Sequence, residues 1–304
     1  MFTDRTGKLR PIWAFWFALF LGALAFFVSG NIAHEAAGNH PFRAEFVFRA
    51  LWALLLVGIF VWLLTVGDHI EEHRIAAQGL PRVKGWLKQF LLGSILGFLF
   101  TVLAVAPIHF WGHFRTRNLM TWHLVPNLGA VILTLLCGTL AEEVMFRGYP
   151  FQRLEQAIGT PRAVVLFSVF YGILHGLHRL NPEANGWGIA NTVLIGILLT
   201  VAYLRTRALW LPWGIHFGWN ATLGLVLGLP VSGFRVFNLW IYTQAYGPNW
   251  LTGGSYGIEA SAPGAIVILL GLLVVWKLPL AKLAHPAPHS SSESALPTLM
   301  GLKP

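Results

Sequence analysis

Leu128-Gly-Ala-Val-Ile-Leu-Thr-Leu-Leu-Cys137-Gly138-Thr-Leu-Ala141-Glu142-Glu143-Val-Met-Phe-Arg147-Gly148 is the stretch whose reading decides the fold. An uncharged apolar run from Leu128 to Ala141 leads straight into two adjacent carboxylates. That run is short for a membrane span, which needs about 20 residues. The helix is therefore expected to continue through the charges, which puts them within the membrane. A carboxylate there is costly unless it faces a partner or a water-filled cavity, so it marks a functional site by default. Glu143 and Arg147 are i and i+4 and can pair on one face. Glu142 is turned away from that pair by roughly 100°, one step of the helical period. The plainer reading of the segment is a helix-end ion pair at the lipid interface.

The composition agrees with a membrane setting. Of 304 residues, 56% are hydrophobic and 11% charged, against roughly 25% charged in a soluble domain. The fold class this implies is an all-α, polytopic membrane protein with about eight transmembrane helices and a cavity inside the bundle. Apolar segments fall at residues 12–30, 50–67, 90–107, 128–154, 163–178, 188–204, 209–229 and 264–278. The first is too long for a signal-peptide core of about 7–15 residues and reads as an uncleaved anchor. Residues 1–283 form one expected domain. Residues 284–304 are rich in Pro and Ser and read as a disordered tail. The single Cys137 excludes an intrachain disulfide and a Cys-based zinc site. The net charge of +9 is spread among loops, which points to anionic lipid headgroups and not to nucleic acid.

Orientation follows from the basic residues. With the N-terminus inside, six of the 21 Lys and Arg fall outside, namely Arg43, Arg49, Arg115, Arg117, Arg179 and Arg235, and the remaining fifteen fall inside. The bias puts both termini in the cytoplasm of a cell (inner) membrane protein. The longest loop, residues 230–263, then lies outside.

Three polar groups interrupt the apolar segments: Glu142, Glu143 and Arg147; Tyr171-Gly-Ile-Leu-His175; and His216-Phe-Gly-Trp-Asn220. The i, i+4 spacing puts Tyr171 with His175, and His216 with Asn220, on shared faces. Glu142 and His175 are almost equidistant in sequence from the turn at Gly159. At 1.5 Å per residue both sit roughly 24 Å from it. From Arg207, His216 rises about 14 Å and Asn220 about 20 Å. The four groups can therefore meet, with Pro150 expected to bend the fourth helix.

These three motifs, in this order, resemble those of the CPBP family, the CAAX proteases and bacteriocin-processing (ABI) intramembrane proteases. The resemblance covers about residues 128–229, with Tyr171 where Phe is usual. It implies an endopeptidase with Glu142, His175, His216 and Asn220 as catalytic residues, supported by Glu143, Arg147 and Tyr171. A desolvated Glu142 suits a general base, with His175 sharing the water or shuttling the proton. His216 and Asn220 are typed as oxyanion donors. No cofactor is required in this reading and no metal is assigned. The competing route is metal-assisted, with one divalent ion such as zinc held by Glu142, His175 and His216. The expected partners are the lipid bilayer and a membrane-associated protein or peptide substrate, processed at a CAAX box or as a leader peptide. The alternatives are a non-catalytic membrane scaffold or immunity-type protein of the same fold, and an ion-coupled transporter. The transporter reading lacks the internal repeat such folds show.

Two further patterns carry less. His69-Ile-Glu-Glu72-His73 matches an inverted zinc-peptidase motif but reads as a polar turn beside the membrane. His34, Glu35 and His40 read as an outer loop, and His178 as a neighbour of the site without a role.

Overall fold

A computed structural model describes residues 10–37, 41–67, 79–80, 85–119, 125–177 and 186–280. The H-x-x-E-H pattern, His40, His178 and the C-terminal tail lie outside these residues. In chain order the elements are α1 (Pro11–Ala37), α2 (Pro41–Gly67), α3 (Trp86–Trp111), β1 (His113–Asn118), α4 (Val125–Arg147), α5 (Tyr149–Ile158), α6 (Thr160–Leu177), α7 (Gly186–Thr206) and α8 (Trp210–Ala221). A π-helical turn (Thr222–Val226) extends α8, and β2 (Ile241–Tyr246), α9 (Asn249–Thr252), a 3-10 turn (Ile258–Ala260) and α10 (Ala262–Lys277) follow.

Within the described residues each of the eight apolar segments lies mainly on helix, as an all-α membrane fold requires, because in lipid each backbone polar group must be satisfied within its own segment. Four stretches are long and apolar enough to cross a membrane: Pro11–Ala36, Trp86–Trp111, Asn127–Ile158 and Gly186–Thr206. Phe46–Ile59 and Ala262–Lys277 are shorter apolar helices. Large apolar side chains such as Phe20, Phe27, Leu103, Phe110 and Trp276 point outward from these helices and are exposed. Water would penalise that arrangement by about 25 cal/mol per Å², whereas lipid tails would not.

The fourth apolar segment departs from the sequence expectation. It is not one helix bent at Pro150. Helix α4 ends at Arg147, the chain turns at Gly148, and Pro150 occupies the start of α5. The first helical turn tolerates proline because its N–H has no intrahelical partner to lose. A Cβ at Gly148 would clash with the Val144 carbonyl, so glycine permits the tight break.

The two turns that set the register are where the sequence put them. Gly159 (φ +83°) joins α5 to α6, and Arg207 (φ +50°) lies between α7 and α8. Arg207 Nη1 meets Glu155 Oε2 at 3.0 Å, which fastens the two turns at one end of the bundle.

Helix α8 is wedged into the interior by small residues. Gly93 and Gly97 on α3 face Gly214 and Gly218 on α8 so closely that a Cβ at any of the four would strike backbone atoms of the other helix. Each pair has the small-xxx-small spacing that lets membrane helices approach backbone to backbone. The close approach carries His216 and Asn220, which lie between and just beyond the α8 glycines, into the core. Both are buried.

The sequence missed one feature of the fold. Strands β1 and β2 pair antiparallel, from His113 opposite Tyr246 to Asn118 opposite Ile241. The Thr116 and Thr243 hydroxyls meet at 3.2 Å. His34 and Glu35, expected in a loop, are inside α1, and Arg49, counted among the outer loop charges, is inside α2.

Candidate active site

Helices α4, α6 and α8 bring the three sequence motifs together. The Tyr171 hydroxyl donates to Glu142 Oε2 at 2.9 Å. Toward the same oxygen point His175 Nε2, at 3.5 Å, and His216 Nε2, at 3.8 Å. Glu142, Tyr171, His175, His216 and Asn220 all line one cavity of about 430 Å³. The common height inferred from residue spacing is thus realised as contact, despite the break at Gly148.

The tautomers follow from the acceptors. His175 Nδ1 lies 2.9 Å from the Tyr171 carbonyl. A carbonyl can only accept, so Nδ1 carries the hydrogen and Nε2 is turned to Glu142. His216 Nδ1 lies 2.8 Å from Glu143 Oε1. A carboxylate likewise accepts, and His216 Nε2 is also turned to Glu142.

Glu143 does more than pair with Arg147. Its Oε1 takes Arg147 Nη1 at 3.1 Å and His216 Nδ1 together. Both charged side chains are almost fully buried. Arg147 is also held by the Gly196 carbonyl at 3.3 Å and the Thr200 hydroxyl at 3.4 Å. Its guanidinium sits 4.9 Å from the centre of the Tyr171 ring. One carboxylate oxygen therefore joins the buried arginine to the imidazole of the cavity.

Two cavity residues escaped the sequence reading. Arg49 reaches from α2, with Nη1 3.8 Å from Glu142 Oε1. The signal was available: Arg49 shares a helical stripe with Trp52, Ala53 and Leu56, all buried, and an arginine on a buried stripe needs an acid to face. The second is Glu259, from the 3-10 turn that precedes α10. It is buried, accepts from Trp219 Nε1 at 3.2 Å and is met by the Ser232 backbone N–H. Burial raises its carboxyl above the usual carboxylate range, and the Ser232 and Trp219 hydrogen bonds only partly offset this. Nothing in its local sequence, Gly257-Ile-Glu259-Ala, indicates that the turn folds back onto α8.

Apart from Thr192 and Ser232, the remainder of the wall is apolar and aromatic. Phe26, Phe48 and Trp52 come from α1 and α2, and Phe146, Phe170 and Leu174 from α4 and α6. Cys137 is a free thiol, partly buried against this core. Among the described residues, no group of three or more His, Cys, Asp or Glu side chains is arranged to hold a metal ion.

Among known proteins, residues 124–222 match the family model described as type II CAAX prenyl endopeptidase Rce1-like. No curated protein and no solved structure matches the chain. The matched segment contains all three motifs, while Arg49 and Glu259 lie outside it. Residues 124–222 are therefore similar to the Rce1-like type II CAAX prenyl endopeptidases, and at the level of that family the match supports a membrane protease function.

Proposed function

We propose that the protein is an intramembrane endopeptidase that hydrolyses peptide bonds of membrane-associated substrates, at a CAAX box or in a leader peptide, with Glu142 activating water. The carrying observation is the convergence of Glu142, His175, His216 and Asn220 on one cavity whose wall is otherwise mostly apolar and aromatic. Water between Glu142 and His175 gives a proton to the carboxylate or to the bare His175 Nε2 as its oxygen attacks the scissile carbonyl carbon. The carbonyl oxygen gains the negative charge and is met by Asn220 and by His216 Nε2. To donate through Nε2, His216 must carry a second proton. Glu143 Oε1 accepts its Nδ1–H at 2.8 Å and fixes the ring for that donation. The proton taken from water is returned to the leaving amine as the C–N bond breaks. The apolar wall supports a substrate that arrives from the bilayer.

The test is cleavage of a panel of prenylated CAAX peptides and leader peptides by purified protein, run beside Glu142→Ala. Products from the wild type alone are expected. Identical products from both, or none from either, would overturn the reading in favour of a non-catalytic scaffold or immunity-type protein. Activity should persist in chelator, without stoichiometric metal. About one zinc per chain, lost together with activity, would replace the general-base route with the metal-assisted one, in which Glu142, His175 and His216 are the ligands.

The basic-residue bias supports an orientation with both termini and the Gly159 turn in the cytoplasm. In a Cys137→Ala background, an impermeant thiol reagent on intact cells should label a cysteine at Ser255 and spare one at Gln156. The opposite pattern reverses the topology.

A further inference from the structure

Helix α4 carries a notch one turn before Glu142. Gly138 is four residues upstream of it, on the same face, and the Arg49 side chain from α2 lies across it. A Cβ at Gly138 would strike the Arg49 guanidinium and come within 2.6 Å of its Cδ. No larger residue at 138 leaves Arg49 where it is. From this seat the guanidinium reaches Glu142 Oε1 at 3.8 Å and lies 5.3 Å from the centre of the buried Phe237 ring. The two oxygens of Glu142 are thereby divided. Oε1 faces the cation, and Oε2 faces Tyr171, His175 and His216.

We propose that Arg49, seated in the Gly138 notch, is a positioning residue for Glu142. It fixes the rotation of the carboxylate so that Oε2 is presented to the histidines and the attacking water. Three observations carry this. The cation lies on a buried helical stripe and is only slightly exposed. Its path across α4 exists because residue 138 has no side chain. Its target oxygen is the one that the histidines and Tyr171 do not use. A carboxylate bound to its backbone by a flexible side chain needs fixing on both oxygens, because a misplacement of about 1 Å at a reacting group costs about 10²-fold in rate. The proposal rests on the role given to Glu142 above and extends the site beyond residues 124–222, to a helix that the family match does not cover.

The experiment compares Arg49→Ala, Arg49→Lys, Gly138→Ala and the double variant Gly138→Ala/Arg49→Ala, each as full-length purified protein. On the peptide that the wild type cuts, Arg49→Ala should lower kcat by about 10²-fold with little change in KM. Arg49→Lys should recover part of the loss. Gly138→Ala should lose kcat although it keeps the arginine, because the guanidinium is displaced. The double variant should be no slower than Arg49→Ala alone, since both changes break one contact. Losses that multiply in the double variant, or wild-type kcat in Arg49→Ala, overturn the proposal.

A second readout does not depend on cleavage. Dicyclohexylcarbodiimide adds to protonated carboxyls, and a neighbouring cation favours the carboxylate. Mass spectrometry should find Glu142 labelled several-fold faster in Arg49→Ala and in Gly138→Ala than in the wild type, at a temperature where thermal unfolding shows each variant to be folded. Unchanged labelling overturns the proposal even if the wild type cleaves. If the wild type cleaves nothing, the endopeptidase reading fails and the labelling still decides whether Arg49 governs Glu142.

Discussion

Glu143→Gln is expected to destabilise the folded protein in detergent by about 3–5 kcal/mol, the cost of breaking a buried ion pair from one side. Cleavage activity should be lost with it. The amide oxygen could still accept from Arg147 and His216, but the negative charge that balances the buried guanidinium would be gone. The new NH₂ would also occupy the place of Oε2, which is buried and makes no hydrogen bond to the described residues. A buried donor without an acceptor adds a further penalty of about 1–3 kcal/mol. Because Glu143 Oε1 also orients His216, the variant strikes the cavity and the core together. Thermal unfolding followed by intrinsic fluorescence, with 14 tryptophans as reporters, measures the first effect. A wild-type melting temperature would mean that the pair is hydrated, and the placement of Arg147 in the core would be wrong.

The second large effect is graded across the cavity. His175→Ala should remove the proton shuttle and cost about 10²–10⁴-fold in kcat with almost no loss of stability, because His175 is partly exposed to the cavity and its Nδ1 bonds only its own helix. His216→Ala should cost a similar factor and also lower stability, since it leaves a buried Glu143 oxygen with one donor fewer. Asn220→Ala should keep weak activity, because loss of one oxyanion donor costs on the order of 10²–10³. Kinetics and melting curves on the three variants separate these outcomes. Equal losses of activity and of stability at all three positions would point to a structural polar cluster in place of a reaction centre.

The sequence alone determined much of this protein. Hydrophobic runs and turn residues located the helices, because in a bilayer the backbone must satisfy itself within each segment. The motif spacings, measured from Gly159 and Arg207, put Glu142 and His175 at one level and His216 and Asn220 within reach of it, because a helix converts residue number into height at a fixed rise. The i, i+4 relation of Glu143 and Arg147 was enough to predict their pair.

Rotation and distant neighbours were not legible in the same way. A helical period says that Glu142 and Glu143 face different directions, yet not which of them meets His216 through Nδ1. That depends on how close α8 stands to its neighbours, and four glycines on α3 and α8 set that distance. Arg49 was counted as a loop charge because an apolar run marks only where a helix core must be, not where its ends stop. Glu259 returns to the cavity from a loop whose path is fixed by Trp219 and Ser232, residues 40 and 27 positions away. Contacts within one helix are local consequences of the chain's period and can be read from spacing. Contacts between elements depend on crossing distance, on the rotation of each helix and on which side chains are small enough to yield, and only the tertiary structure decides those.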